Sequence, residues 1–282
     1  MKLINIDMKK LAISVILLFA GQAIIAQNEY KTNMKNSPDT HIEIQVGSEN
    51  VRILGHDKDE IIITTDFAGE YVDEPSGQKK TAPDRAAGLK PMSVSASDNT
   101  GIGLVVDKHD NYFSVLKMSK NARNKSYSFH IPNKAKLLIN DIHAEVNTTY
   151  NIGGMKGEIE INALNSDVSL DQISGPVVAN ATNGNVIAHF IKLTLDKPNS
   201  FLSVNGFVDV TLPKETGADL QLHTVNGEAY TDWDIEIDKD ATNAMPVVAN
   251  MNMFNIEGSI NGGGIPISIQ SVNGDIYLRK KK

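Results

Sequence analysis

Leu164-Asn165-Ser166-Asp167-Val168, Thr182-Asn183-Gly184-Asn185-Val186, Val204-Asn205-Gly206-Phe207-Val208, Val225-Asn226-Gly227-Glu228-Ala229 and Val272-Asn273-Gly274-Asp275-Ile276 are copies of one five-residue unit: apolar, Asn, small, any, apolar. Their asparagines lie 18, 22, 21 and 47 residues apart. The period is therefore about 21, and the last interval holds about two periods. A degenerate copy near Asn252 would divide it. Upstream, Ile142-His143-Ala144-Glu145-Val146 sits one period before Asn165, with His in place of Asn. A second marker, Ile152-Gly153-Gly154, Ile173-Ser174-Gly175 and Ile256-Glu257-Gly258, precedes some copies.

Asn-Gly is a strong hairpin signal, because both residues tolerate φ > 0, so an antiparallel β-sandwich is the alternative to be weighed. A meander of short strands turns about every 8–12 residues and gives no reason for one turn to recur in the same context at every second or third corner. A solenoid supplies that reason, since each coil sets its corner on the previous one. The expectation is an all-β fold, a parallel β-solenoid with β-helix-like repeats of about 21 residues per coil. Its corners are Asn165, Asn183, Gly184, Asn205, Gly206, Asn226, Gly227, Asn273 and Gly274. On this reading the corner glycines adopt φ > 0, and Val204, Val225 and Val272 share one inner column. Asn205 and Asn226 then face each other across one strand spacing of about 4.8 Å.

The rest of the chain agrees with an all-β reading. Ile42, Ile44 and Val46, then Val51 and Ile53, then Ile61-Ile62-Ile63-Thr64-Thr65 carry the period-two, β-branched pattern of strands. Strands resume at Met92–Ala96, Ile102–Val106, Tyr112–Leu116 and Tyr127–Ile131. Pro, Gly, Lys, Arg and Ala crowd residues 73–91, which read as an excursion loop. At the start, Lys9-Lys10, the apolar run Leu11–Ala20 and the small residues up to Ala26 have the pattern of a secretory signal, residues 1–26. Residues 27–37 read as a disordered N-terminal segment, 38–279 as the β domain and 280–282 as a basic tail.

Composition bounds the function. In 282 residues there are 27 Lys and Arg, 34 Asp and Glu, one Trp and no Cys. Loss of Lys2, Lys9, Lys10 and Asp7 with the leader takes the net charge from −7 to −9. That disfavours nucleic acid as a partner. Without Cys there is no disulfide framework, so stability must come from an extended core or stacked backbone ladders.

The Asn-Gly-x-Val units, Phe129-His130-Ile131-Pro132-Asn133-Lys134-Ala135-Lys136-Leu137, the early Ile42-Glu43-Ile44, Val51-Arg52-Ile53 and Gly55, and Arg85 with Gly88-Leu89-Lys90 resemble the putative-adhesin domain of unknown function of exported bacterial proteins. The likeness spans residues 38–279. It implies surface interaction and brings no catalytic residues with it.

No constellation identifies a reaction. Asp232, Asp234, Glu236, Asp238 and Asp240 alternate with Trp233, Ile235 and Ile237, so a strand here would present its carboxylates on one face, as a calcium site or as a solvated face. Seven His at different phases of the repeat show no metal spacing. Gly101-Ile102-Gly103 lacks the rest of a dinucleotide loop and reads as a strand bend. Asp167, Asp171, Asp209 and Asp232 offer carboxylates for a glycosidase, but scattered tyrosines give no visible sugar groove. The expectation is an exported non-enzymatic protein, periplasmic or at the cell surface, with no cofactor. It binds an envelope protein or a surface glycan through repetitive polar faces, and no integral membrane segment remains after signal cleavage. The alternatives are a carbohydrate-active β-helix enzyme and a periplasmic partner of a regulatory membrane protein.

Overall fold

The computed structural model describes residues 29–48, 50–66, 98–117, 126–141, 147–194, 197–238 and 254–282. The signal segment, the excursion loop, Met92–Ala96, the 142–146 unit, Asp240 and Asn252 lie outside these residues. The first half of the chain forms β1 (Glu29–Asn33), β2 (His41–Gln45), β3 (Asn50–His56), β4 (Glu60–Thr65), β5 (Leu104–His109), β6 (Tyr112–Lys117), β7 (Tyr127–Pro132), β8 (Lys136–Asp141) and β9 (Thr148–Gly153). The repeats follow as β10 (Ile159–Ala163), β11 (Ser166–Ile173), β12 (Val177–Asn183), β13 (Val186–Phe190), β14 (Asn199–Asn205), β15 (Val208–Leu212), β16 (Ala218–Thr224) and β17 (Ala229–Thr231). Last come β18 (Glu236–Ile237), β19 (Phe254–Ile260), β20 (Ile265–Asn273) and β21 (Ile276–Lys280). Among the described residues no helix is long and apolar enough to cross a membrane.

These strands make an all-β fold of two mixed sheets. Ten strands run β1-β4-β7-β3-β9-β11-β13-β15-β21-β17, and eleven run β18-β19-β16-β20-β14-β12-β10-β8-β2-β6-β5. Through the middle, each level contributes one strand to each sheet: β6/β7, β2/β3, β8/β9, β10/β11, β12/β13, β14/β15, β20/β21 and β16/β17, numbered here 1 to 8. Every contact between successive levels is parallel. Antiparallel strands flank the stack, with β5 on β6, β4 and then β1 on β7, and β19 and then β18 on β16.

The core lies between the sheets. Ile44, Ile139, Ile161, Ala179, Phe201, Ile269 and Leu222 share one register row. Ile53, Ile152, Leu170, Ala188, Val210 and Leu278 share another in the second sheet. All are buried. Each fully buried large aliphatic chain contributes about 1.5–3 kcal/mol, so these columns do the work that Cys and Trp cannot. Small Ala179 lies beside Phe201, which meets Phe190 edge-on at 6.2 Å.

Several expectations need correction. Residues 29–33 are a strand, not disordered, because their backbone pairs with Glu60–Thr64 of β4. Asn205 and Asn226 are not neighbours: level 7, the C-terminal pair β20/β21, stands between them. The chain leaves a one-strand gap after β15, builds level 8, reverses through antiparallel β19, and returns to fill the gap. A matched corner can stack on either side of another, so connections decide the order and sequence distance does not. Val204, Val225 and Val272 are half-buried on the outer face, and the inner sites belong to Ser203, Thr224 and Ser271. Of the described residues of the acidic row, 232–238, only Glu236–Ile237 is strand. Leu104, not Ile102, opens β5, because Gly101 and Gly103 take positive φ in a loop held by the Asp98 carboxylate, which accepts from the N–H groups of Thr100, Gly101 and Gly103. Lys280, assigned to the tail, is the last residue of β21.

The corner glycines are the sharpest correction. Gly184, Gly206, Gly227 and Gly274 have no positive φ. They are glycine because the corners nearly touch: a Cβ on Gly206 would lie 2.3 Å from the Gly184 carbonyl oxygen, and one on Gly274 would lie 2.2 Å from that of Gly206. The same carbonyls take hydrogen bonds from inside. Ser203 Oγ donates to Gly184 O at 2.8 Å, Ser271 Oγ to Gly206 O at 3.0 Å and Thr224 Oγ1 to Gly274 O at 3.1 Å. These buried hydroxyls satisfy acceptors that the corner withholds from the strand ladders.

Candidate functional site

Stacking aligns the corner asparagines into one exposed ladder. Asn183 Nδ2 donates to Asn165 Oδ1 at 2.7 Å, Asn205 to Asn183 at 2.7 Å, Asn273 to Asn205 at 2.8 Å and Asn226 to Asn273 at 2.9 Å. A shorter ladder runs from Asn180 to Asn162 to Asn140 on the outer face of the eleven-stranded sheet. The repeat thus places its corner residues in a line, where they hold successive levels in register.

Beside the Asn ladder, the outer face of the ten-stranded sheet carries a register row that crosses all eight levels: Ser128, Arg52, Asn151, Ser169, Ile187, Asp209, Tyr277 and Tyr230. Its aromatic members stand at levels 7 and 8. Tyr230 and Tyr277 stack with centroids 5.4 Å apart and planes 13° from parallel, and Phe207 meets Tyr277 edge-on at 6.0 Å. The phenols are tethered by carboxylates: Tyr230 Oη donates to Glu228 at 2.6 Å and Tyr277 Oη to Asp275 at 3.1 Å. The Glu228 hydrogen bond and charge push the Tyr230 phenol up to about 12. Arg279 lies over Tyr277 at 5.2 Å while its Nε donates to both carboxylate oxygens of Asp209, at 2.9 and 3.0 Å. In the sequence these tyrosines are scattered. Residues 230 and 277 meet only because level 7 slots in beside level 8.

The opposite face carries a groove of about 610 Å³ near the same end, lined among the described residues by Ser200, Ser268 and Gln221 and by Asp219, Glu236, Asp238 and Glu257. The acidic row is therefore split. Glu236 and Asp238 face the groove, whereas Asp232 accepts from the Lys280 N–H at 2.7 Å and Asp234 pairs with Lys280 Nζ at 3.6 Å. Among the described residues no three His, Asp or Glu side chains gather as a metal site. The other glycosidase candidates are each tied to the next level. Asp167 accepts from the Asn185 backbone at 2.8 Å, Asp171 faces His189 at 3.4 Å, and Asp209 holds Arg279.

No family model matches the sequence, and no curated protein matches it. Among solved structures the chain is similar to a "putative cell adhesion protein" of Clostridium sporogenes, at 13% identity and a TM-score of 0.42 over 90% of this chain and 99% of that one. It is also similar to a "putative adhesin" of Bacteroides fragilis, at 10% identity and a TM-score of 0.36 over 90% and 96%. A third such structure, from Parabacteroides merdae, has 11% identity and a TM-score of 0.24 over 90% and 95%.

Proposed function

We propose that the chain is an exported, non-enzymatic, adhesin-like β-solenoid that binds an envelope protein or a surface glycan through its repetitive outer faces. The observation that carries this reading is the parallel pairing from level 1 to level 8, which, apart from a register shift past Leu170 between β11 and β13, lines outward side chains into rows along both faces. The carboxylates spent on corner backbone, His189 and Arg279 support a binding role over a catalytic one. The acidic groove favours one second reading, a carbohydrate-active enzyme. A glycan array and a pull-down from an envelope fraction, both with the mature chain, test the proposal. Saturable binding to a glycan or one envelope protein, without turnover, is the expected result. Hydrolysis or elimination of a polysaccharide would overturn it in favour of the enzyme.

A further inference from the structure

We propose that levels 7 and 8 of the ten-stranded sheet carry a stacking site for a neutral pyranose sugar, with Tyr230 as its platform; this rests on the binding reading above. The outer row that ends in Tyr230 is polar, charged or aliphatic for its first six levels and turns aromatic only at the last two. Tyr230 is 48% exposed and takes no part in the buried core. Its strand, β17, closes the sheet order of the described residues, so the ring has Tyr277 on one side and no further described strand of the sheet on the other. An exposed, oriented aromatic face is what the C–H face of a pyranose stacks on.

The surroundings fit the rim of such a ring. A pyranose carries hydroxyl donors around its edge, and the tips of the two tyrosines are bordered by the Glu228 and Asp275 carboxylates. Asp275 Oδ1 also accepts from the Glu228 N–H at 3.0 Å, and beyond these bonds each carboxylate keeps acceptor capacity. Those same bonds hold both rings in place, so little side-chain freedom is lost on binding. Charge narrows the class further. Arg279 is paired with Asp209, Lys280 lies over Trp233 at 5.1 Å beside Asp234, and exposed Lys281 and Lys282 follow beyond Arg279, so the charges that border the two ring tips themselves are those of Glu228 and Asp275. Uronic and sialic acids are repelled there, whereas neutral hexoses are not.

The test is a titration of the mature chain with neutral hexose oligosaccharides and, in parallel, with uronic-acid oligosaccharides, followed by heteronuclear NMR or calorimetry. Neutral sugars should bind and uronates should not. Tyr230→Ala should weaken neutral binding about tenfold, the worth of one aromatic contact, while Tyr230→Phe, which keeps the ring and loses only the Glu228 tether, should weaken it less. Circular dichroism melts should fall by no more than a few degrees, because Tyr230 lies outside the buried core and gives up only its contacts with Tyr277 and Glu228. Neutral binding that survives Tyr230→Ala, or a preference for uronates, would overturn this site and leave the binding reading standing. Capture of an envelope protein with no sugar binding would also overturn the site alone. Failure to bind either glycan or protein would defeat both.

Discussion

Replacing Gly206 with Ala adds one methyl where the corner has no room. The new Cβ would sit 2.3 Å from Gly184 O, 2.8 Å from Gly184 C and 2.9 Å from Ser203 Oγ. Ordinary C···O contacts are about 3.3–3.6 Å, so the two corners must part by about 1 Å. Neither can do so freely: Gly206 O accepts from Ser271 and lies against Gly274 on its other side, so the shift passes to level 7. Overpacking of this kind costs about 1–3 kcal/mol, and the upper half of that range applies because the obstacle is backbone. For a chain of this size about 2–3 kcal/mol lowers Tm by about 5–10 °C. Gly206→Asn separates this account from the left-handed corner that Asn-Gly ordinarily signals, because Asn tolerates φ > 0 and would then be nearly harmless. Crowding makes Asn at least as damaging as Ala. Gly262, with φ +81° and open space around it, should show the opposite order, Asn milder than Ala. Melts of the four variants decide the matter: a silent Gly206→Ala, or recovery by Asn at 206, refutes the close-stacking argument.

Removing the buried hydroxyl of Ser203 by Ser203→Ala should cost about 1–2 kcal/mol in urea denaturation, since Gly184 O loses its donor, while Ala181 at the same place one level away indicates that the methyl fits. His130 is held below the usual histidine range by burial and then by His56 and Arg52. The unfolded state therefore binds more protons below about pH 6.5, so stability should fall as pH drops from there through the lowered value, and His130→Gln should flatten that slope in pH-dependent melts. Intact mass of exported protein should place the N-terminus at or within a residue or two of Gln27, and retention of residues 1–26 would rule out the signal.

Strand existence, the all-β class and the corner repeat are legible in the residues because period-two patterning and a recurring Asn leave direct traces. What is not legible has physical causes. Glycine serves both positive φ and close backbone approach, and the letters Asn-Gly do not distinguish them; what does is that a Cβ on Gly184, Gly206, Gly227 or Gly274 would fall 2.0–2.3 Å from a neighbouring carbonyl oxygen. The corner shifts side-chain parity, so the apolar Val204 before it turns outward while Val208 after it is fully buried. Ser203, Thr224 and Ser271 read as ordinary polar residues until the carbonyls they serve are seen. The order of levels depends on the reversal at β19, a long-range event that leaves no periodic mark. The Tyr230–Tyr277 pair inherits that illegibility, because 47 residues separate two rings that stack.

The strand pair β20/β21 fills the gap between levels 6 and 8, and the absence of Cys makes this order directly testable. The double variants Asn205→Cys/Asn273→Cys and Asn205→Cys/Asn226→Cys, oxidised in the native state, sample one strand spacing of about 4.8 Å and two of about 9.6 Å. A disulfide needs Cα atoms within about 7 Å. The stacking observed here predicts an intramolecular crosslink for 205 with 273 and none for 205 with 226. Crosslinking of 205 to 226 without 273 would restore the order of the sequence and contradict the account.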